Sequence, residues 1–301
     1  ITRSSAITKR VLNLVLSDLH YGADLLPDEV GVSYGLIEES RRTATIFDQV
    51  VRYKEEYRSE TELEILILGD IFQNQLHDMR DGAVLAEQAC RAIHILSQGI
   101  AYAAQSFKKI RVRCSTGNHG RNKSRHQERA TYQKWDSIET IVYYAIKQAC
   151  SNLSNVEFFI PKTQFFTYDV FGKKIYATHG DTALNVGFPG KAIRVEQIEG
   201  RVNKLNAALN DNNEYSVFVV GHVHTGSMTQ LANGSILFTN GALIPPDHFA
   251  VSIGIPESVC GQWIWESVPG FPVGDVRFIR VSTEDDANGK LDQIIRPWPG
   301  L

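Results

Sequence analysis

Five short apolar runs in this 301-residue chain each end in a cluster of aspartate, asparagine or histidine. In chain order the clusters are Ser17-Asp18-Leu19-His20, Gly69-Asp70, Gly117-Asn118-His119-Gly120, His179-Gly180-Asp181 and Gly221-His222-Val223-His224. The composition of each run is typical of a buried strand. Because open α/β sheets bind their ligands where strands end, the five clusters are predicted to converge along one sheet edge.

The periodicity of apolar residues predicts a βαβαβα order up to about residue 150 and mostly short strands after it. The strands are predicted over 11–17, 63–68, 110–115, 156–160, 165–170, 174–178, 215–220, 227–231, 235–239 and 276–281. Helices are predicted around 46–57, 83–107, 131–149 and 198–209, the third with the apolar stripe Ile138, Ile141, Val142, Ala145 and Ala149. This order predicts an α/β layered fold in which two sheets lie between helices.

Composition narrows the class of protein. With 43% hydrophobic residues and a net charge of -3, the chain is expected to bury a large core and shows no global preference for nucleic acid. There is no apolar run of about 18 residues, no apolar segment in the first residues and no CxxC pair among the four cysteines. We therefore expect no membrane partner, no secretory signal and a cytoplasmic location.

Neither a repeat nor a linker interrupts the sequence, which predicts one domain over 1–301. Residues 225–301 are expected to complete the sheets, and a small cap near Trp263, Trp265 and Phe271 is an option. The sequence does not indicate an oligomeric state.

The clusters together supply seven oxygen and nitrogen ligands and no sulfur. They are Asp18, His20, Asp70, Asn118, His179, His222 and His224. The alternation of side chains along a strand would place both members of Asp18-x-His20, and of His222-x-His224, on one face. Seven ligands exceed the four of a structural zinc site and match two adjacent metal ions with positions left for water and substrate.

The ordered series DxH, GD, GNH, HG and GHxH resembles the calcineurin-like metallophosphoesterase superfamily over residues 17–224. The resemblance implies a four-layer αββα sandwich of two mixed β-sheets and an enzyme that hydrolyses phosphate esters with a two-metal-activated hydroxide. It implies that Asp18, His20 and His224 hold one metal, that Asn118, His179 and His222 hold the other, and that Asp70 bridges them. His119 would be the general acid. Mn²⁺ is expected from the mixed carboxylate and imidazole ligands, with Fe or Zn as alternatives.

Departures from the family motifs bear on the substrate. The stretch Gly69-Asp70-Ile71-Phe72-Gln73 lacks the GDxVDRG of the protein phosphatases and is similar to the GDxF of the repair nucleases. Gly120 stands where those nucleases usually have aspartate after GNH. The group that orients His119 is therefore open, with Asp181, His77 and His126 as candidates.

A run of basic residues surrounds His119. Nine lysines and arginines lie between Lys108 and Lys134, against the single acid Glu128. Such a run could track a phosphate backbone or could be a solvated surface, and Arg121, like Asn118, is a candidate substrate-binding residue. A nuclease acting on DNA or RNA is the first expectation; the alternatives are a small-molecule phosphoesterase, acting on a cyclic nucleotide, dinucleotide or phosphomonoester, and a non-catalytic scaffold.

Overall fold

The computed structural model describes residues 9–56, 61–74, 82–124, 126–127, 133–187, 193–209, 214–252, 254, 259–281, 290–296 and 298–299. Its strands are β1 (Arg10–Leu16), β2 (Thr61–Ile67), β3 (Ile110–Cys114), β4 (Val156–Phe159), β5 (Phe165–Val170), β6 (Lys173–Thr178), β7 (Tyr215–Val220), β8 (Ser227–Gln230), β9 (Ile236–Thr239), β10 (Gly261–Ser267) and β11 (Val276–Arg280). Its helices are α1 (Pro27–Val30), α2 (Leu36–Glu55), α3 (Leu85–Ala104), α4 (Ile138–Ala149), α5 (Val195–Ala207), α6 (His248–Ser252) and α7 (Leu291–Ile294).

The strands form two mixed sheets. The larger has the order β11-β10-β1-β2-β3-β4, in which β1 to β4 are parallel and β10 and β11 are antiparallel. The smaller has the order β5-β6-β7-β9-β8, with a parallel centre of β6, β7 and β9. Strands from the last quarter of the chain therefore take part in both sheets.

Alternating side chains of β1 show how the layers are built. Val11 and Val15 face the second sheet in a core that includes Val219 and Phe238, while Leu12 and Leu14 face the helices. On that outer side the six-stranded sheet is covered by α2, α3, α4 and α7. The outer side of the five-stranded sheet is covered by α5, through Ile198 and Val202. The four layers confirm the predicted αββα sandwich.

Trp263 and Trp265 lie in β10 and are sheet residues, and the option of a small cap near them stays a prediction. Trp265 is fully buried between the sheets, stacked on Phe238 with ring centroids 4.7 Å apart. Phe271 lies in the turn after this strand, paired with Val268. The assignment of 1–301 to a single domain stays a prediction.

The helix predicted over 131–149 begins later, and its buried face differs from the expected stripe. Residues 131 and 132 lie outside the described part of the chain, and α4 begins after Ser137, whose hydroxyl accepts a hydrogen bond from the backbone of Glu139 at 3.2 Å. Ile141, predicted to be buried, is 70% exposed, whereas Glu139 is completely buried. Within the predicted stripe, Val142 is buried and Ile138 packs against the core, but Glu139 and not Ile141 takes a core position on this helix.

Among the described residues, no helix combines the length and apolar character needed to cross a bilayer.

Candidate metal centre

The five polar clusters lie at the carboxyl ends of β1, β2, β3, β6 and β7, where the two sheets meet. Backbone hydrogen bonds join them directly: the amide of Asp18 donates to the carbonyl of Gly69 at 3.1 Å, and that of Gly221 donates to the carbonyl of His179 at 2.8 Å. A methyl group on Gly117 would lie 2.1 Å from a carboxylate oxygen of Asp70. Glycine is required there because the two loops approach each other too closely for a side chain.

Three overlapping groups of side chains could each hold a metal ion. They are Asp18, His20 and His224; His20, Asp70 and His119; and Asp70, His179 and His222, with the ligand atoms of each group within 4.8 Å of one another. Since the groups share His20 and Asp70, they form one continuous site. Asn118 joins it, because its side-chain oxygen lies 3.1 Å from Nε2 of His179. The structure thus brings all seven sequence-predicted ligands, and His119, together.

Specific distances show how closely the ligand atoms converge. Nε2 of His20 lies 3.3 Å from Nε2 of His224, which in turn lies 3.4 Å from Oδ1 of Asp18. On the other side, Nε2 of His179 lies 3.1 Å from Oδ2 of Asp70. Asp70 is therefore placed between the two outer groups.

Five of these residues have left-handed backbone conformations: Asp18, His20, Asp70, His222 and His224, with φ values of 54°, 50°, 51°, 71° and 57°. They lie beyond the ends of their strands. The prediction that strand alternation places Asp18 with His20, and His222 with His224, on one face is therefore wrong. Left-handed residues other than glycine are uncommon, and strained backbone concentrates at functional sites. The left-handed conformation at each of these positions accompanies a side chain whose ligand atom lies in the site.

Hydrogen bonds at Nδ1 fix the tautomers of three histidines. Nδ1 of His20 lies 2.6 Å from Oε1 of Gln73, that of His119 lies 2.6 Å from the backbone oxygen of Gln73, and that of His179 lies 2.7 Å from the backbone oxygen of Leu68. These oxygens can only accept, so each imidazole donates from Nδ1. In the neutral ring the lone pair is then on Nε2, which is the arrangement that second-sphere hydrogen bonds give to metal-binding histidines.

Burial and mutual charge shift the pKa values of the site in opposite directions. Burial lowers the pKa of His20 to about 3, with His119 adding to the effect, and lowers that of His222 to about 4. Burial also disfavours a charged His179, yet the Asp70 carboxylate outweighs it and raises the pKa of His179 to about 9. A metal ion at Nε2 of His179 would have to displace the proton that Asp70 stabilises there.

Three residues near the site were not singled out from the sequence. Gln73 contacts two of the imidazoles, Asp247 accepts a hydrogen bond from Gln73 at 3.1 Å, and Glu139 accepts from the amides of Ile71 at 2.9 Å and Gly117 at 2.6 Å. Asp247 follows no strand and Glu139 lies in a helical pattern, so neither position carries a signal in the sequence. The burial of Glu139 is visible only in the folded chain.

Neither of the two sequence candidates for orienting His119 that the structure describes is seen to contact its ring. Asp181 forms an ion pair with the buried Lys134, and His126 is exposed. His77 lies outside the described residues. The acceptor for His119 is the backbone carbonyl of Gln73, and Glu139 occupies the space that a side chain on Gly120 would enter, with its Cγ 2.3 Å from the position of an added methyl group.

Most of the described part of the basic run is neutralised by carboxylates. Lys109 pairs with Glu157, Arg111 with Glu62 and Glu64, Arg113 with Glu64, Lys123 with Asp136 and Lys134 with Asp181. Arg125 and Arg129 lie outside the described residues. Arg121 is half-buried and bridges Ser137 through its backbone, and its contact with a substrate phosphate stays a prediction.

No protein-family profile matches this chain, and no curated protein sequence matches it. Among solved structures, the chain is similar to a dimetal phosphatase from Danio rerio, with 11% identity, a TM-score of 0.44 and coverage of 90% of this chain and 99% of that one. A calcineurin-like phosphoesterase from Bacillus subtilis matches at 11% identity and a TM-score of 0.37, with 95% of both chains covered. A putative 5'-nucleotidase from Staphylococcus aureus matches at 8% identity and a TM-score of 0.39, covering 95% of this chain and 57% of that one.

At these identities and TM-scores, the activities of these proteins do not transfer to this chain. The chain resembles the calcineurin-like metallophosphoesterase superfamily in its ordered strand-end motifs and in its sandwich architecture of two mixed sheets between helices.

Proposed function

We propose that this protein is a metal-dependent phosphoesterase of the calcineurin-like superfamily that uses two divalent cations. The observation that carries the proposal is the convergence of seven oxygen and nitrogen ligands, six in overlapping groups and Asn118 against His179. Five of the seven have backbone in the left-handed conformation. The donors are two carboxylates, one amide and four imidazoles. This set suits Mn²⁺, Fe or Zn, with Mn²⁺ as the first expectation, and it fits two ions better than one.

The grouping of side chains supports the assignment implied by the motifs. Asp18, His20 and His224 would hold one cation, and Asn118, His179 and His222 would hold the other. Asp70, which lies next to His179 on one side and belongs to a group with His20 on the other, would contact both. When bound, the cations supply charge neutralisation for the phosphate and a more acidic water.

His119 has the contacts expected of a general acid. Its Nδ1 donates to the backbone of Gln73, so a second proton would be held at Nε2, from which it could pass to the leaving oxygen of the ester. Its backbone amide donates to Oδ1 of Asp70 at 2.7 Å, which ties the acid to the carboxylate between the metal groups. Asn118 supplies an oxygen ligand without adding a negative charge that would repel phosphate.

Small phosphate esters are the substrate class that we favour over nucleic acid. The nuclease expectation rested on GDxF and on the basic run, and the ion pairs described above remove much of that run's positive charge. A surface whose lysines and arginines are already paired has little to gain from releasing the counterions of a nucleic acid. The GDxF motif keeps a nuclease as the second candidate.

The proposal is tested with a panel of substrates in the presence of Mn²⁺. We expect turnover of bis-p-nitrophenyl phosphate, and of at least one cyclic nucleotide, dinucleotide or phosphomonoester, with plasmid DNA and RNA left intact. Cleavage of DNA or RNA that falls steeply with salt would select the nuclease instead. No hydrolysis of any ester by protein with two bound metals per chain would favour the scaffold and reject the proposal.

A further inference from the structure

Gln73 lies between the imidazoles of His20 and His119 and contacts both. Its side-chain oxygen accepts from Nδ1 of His20 and its backbone oxygen accepts from Nδ1 of His119, each at 2.6 Å. The residue is buried. One glutamine therefore sets the tautomers of a candidate metal ligand and of the candidate acid, the first through a side chain and the second through the backbone.

An amide side chain can present either its oxygen or its nitrogen to a neighbour, so something must fix its orientation. Asp247 does this. Its Oδ2 accepts from Nε2 of Gln73 at 3.1 Å, and its Oδ1 accepts from the backbone amide of Ala250 at 2.8 Å. A carboxylate has no proton to donate, so Gln73 turns its NH₂ to Asp247 and its oxygen to His20.

The segment that carries Asp247 is itself anchored to the site. The amide of Leu243 donates to the backbone oxygen of Asp18 at 3.0 Å, and Arg42 donates to the carbonyl of Leu243 at 2.7 Å. Asp247 is thus held in place by the residues before it and by the first turn of α6 after it.

We propose that Gln73 is a positioning residue and that Asp247 controls it, so that the pair directs Nε2 of His20 towards Asp18 and His224. The inference rests on the proposed function, because it concerns a ligand of the proposed metal centre. It also predicts an asymmetry. His179 in the other group is oriented by the backbone oxygen of Leu68, so that group does not depend on the pair.

The first test uses metal-free protein with ¹⁵N-labelled histidines, and long-range ¹H–¹⁵N NMR reports the tautomers. In the unaltered protein we expect a proton on Nδ1 of each of His20, His119 and His179, and Nε2 of His20 without a proton. Gln73→Ala and Asp247→Asn should each shift His20 towards the Nε2–H tautomer and leave His179 unchanged. His119 should also be unchanged, because a backbone oxygen orients it.

An exchange of the two side chains provides a matched rescue. In Gln73→Glu/Asp247→Asn the new amide can donate to the new carboxylate, whose second oxygen still accepts from His20. We expect the Nδ1–H tautomer of His20 to return in this double variant. Asp292→Asn, a surface carboxylate near Arg41, is the control for the single substitution.

The second test is titration with Mn²⁺, followed by calorimetry and electron paramagnetic resonance. Asp247→Asn should lower the affinity for one of the two Mn²⁺ ions about 10- to 100-fold, which is the range typical of groups that orient metal ligands. The affinity for the other ion should change less than about threefold, since the ligands of that ion are oriented independently of Asp247. The double variant should restore the affinity of the first ion.

Three results would overturn the inference. They are a proton on Nε2 of His20 in the unaltered protein, an equal loss of affinity for both Mn²⁺ ions in Asp247→Asn, and a folded double variant that does not recover the Nδ1–H tautomer of His20. These outcomes are separate from the failure of the proposed function. The NMR test needs neither metal nor substrate. A protein without hydrolytic activity could therefore still show that Gln73 and Asp247 control the tautomer of His20.

Discussion

At the scale of single residues, the candidate centre is built from backbone conformations that its side chains do not favour. For an L-residue other than glycine, the left-handed region costs about 1–2 kcal/mol. His222 is such a case, with φ of 71°, and its amide donates to both carboxylate oxygens of Asp18, at 3.1 and 3.0 Å. Hydrogen bonds and packing therefore hold the site residues in strained conformations.

This strain predicts an inverted preference for glycine at position 222. In metal-free protein, His222→Gly should be more stable than His222→Ala by about 1 kcal/mol, because glycine adopts a positive φ without steric cost. Urea unfolding of the two variants measures the difference. At Thr167, an exposed position within β5, the order should reverse. An alanine variant at 222 as stable as the glycine variant would show that the backbone there is not strained.

Loss of His119 tests the role of a single side chain in the chemistry. His119→Ala should lower kcat about 10²- to 10⁴-fold, the range typical of a general acid, while two metal ions per chain remain bound. Steady-state kinetics and metal analysis on the same samples separate the two effects. His126→Ala removes an exposed histidine nearby in the chain and should behave like the unaltered protein. Full activity in His119→Ala would contradict the assignment of His119 as the general acid.

At the scale of elements, helices supply buried carboxylates that fix the loops after the strands. Glu139 of α4 accepts from the loop after β2 and from the loop after β3, and both loops carry predicted ligands. Glu39 of α2 is also completely buried and accepts from the amide of Gly22 at 2.7 Å, beside Arg91. Each of the two helices therefore carries a buried carboxylate that accepts a hydrogen bond from a loop.

Glu39 predicts a pH dependence of stability. Burial raises its pKa to about 7, and the hydrogen bond from Gly22 and the charge of Arg91 offset burial only in part. Between pH 4.5, its ordinary pKa, and pH 7 the folded protein keeps a proton that the unfolded chain has released, so the contribution of Glu39 to stability falls as the pH rises.

Glu39→Gln should remove this effect. Relative to the unaltered protein, its free energy of unfolding should increase by up to about 3 kcal/mol between pH 5 and pH 8, since one pKa unit corresponds to about 1.4 kcal/mol. Urea unfolding in EDTA at both pH values measures it, and Glu157→Gln, an exposed carboxylate, is the control. If the difference in the free energy of unfolding between the two proteins does not change with pH, Glu39 is ionised in the folded protein at both pH values.

At the scale of the whole molecule, the predicted ligands come from both sheets. Asp18, His20, Asp70 and Asn118 follow strands of the six-stranded sheet, whereas His179, His222 and His224 follow strands of the five-stranded sheet. Cations bound by this set would join the two sheets at their carboxyl ends. Metal binding is therefore expected to stabilise the sandwich as a unit.

The linkage is measurable. Mn²⁺ at 100 times its dissociation constant should raise the free energy of unfolding by about 2.7 kcal/mol per ion, if the unfolded chain does not bind it. Thermal and urea unfolding with Mn²⁺ and with EDTA provide the comparison. Asp70→Asn should lose most of the increase, because it alters the residue common to both groups. An unchanged midpoint at saturating Mn²⁺ would contradict a centre that joins the sheets.

The fold class and the grouping of polar residues at the strand ends could be predicted from local patterns in the sequence. Buried parallel strands are apolar along their whole length, so the residue at which a strand stops is visible as the first polar cluster. Strands such as Phe165–Val170 and Tyr215–Val220 were predicted to the residue. Both signals are local, which is why a single chain reveals them.

The surroundings of those clusters could not be predicted from the sequence, because they are formed by residues that meet only in the folded chain. The pairing of Gln73 with Asp247 joins positions 174 residues apart, the burial of Glu139 follows from loops that α4 meets in space, and the carboxylates that neutralise the basic run come from several different elements. Hydrogen-bond direction, tautomer and charge neutralisation depend on distances between residues remote in sequence. No local pattern of residue types contains those distances.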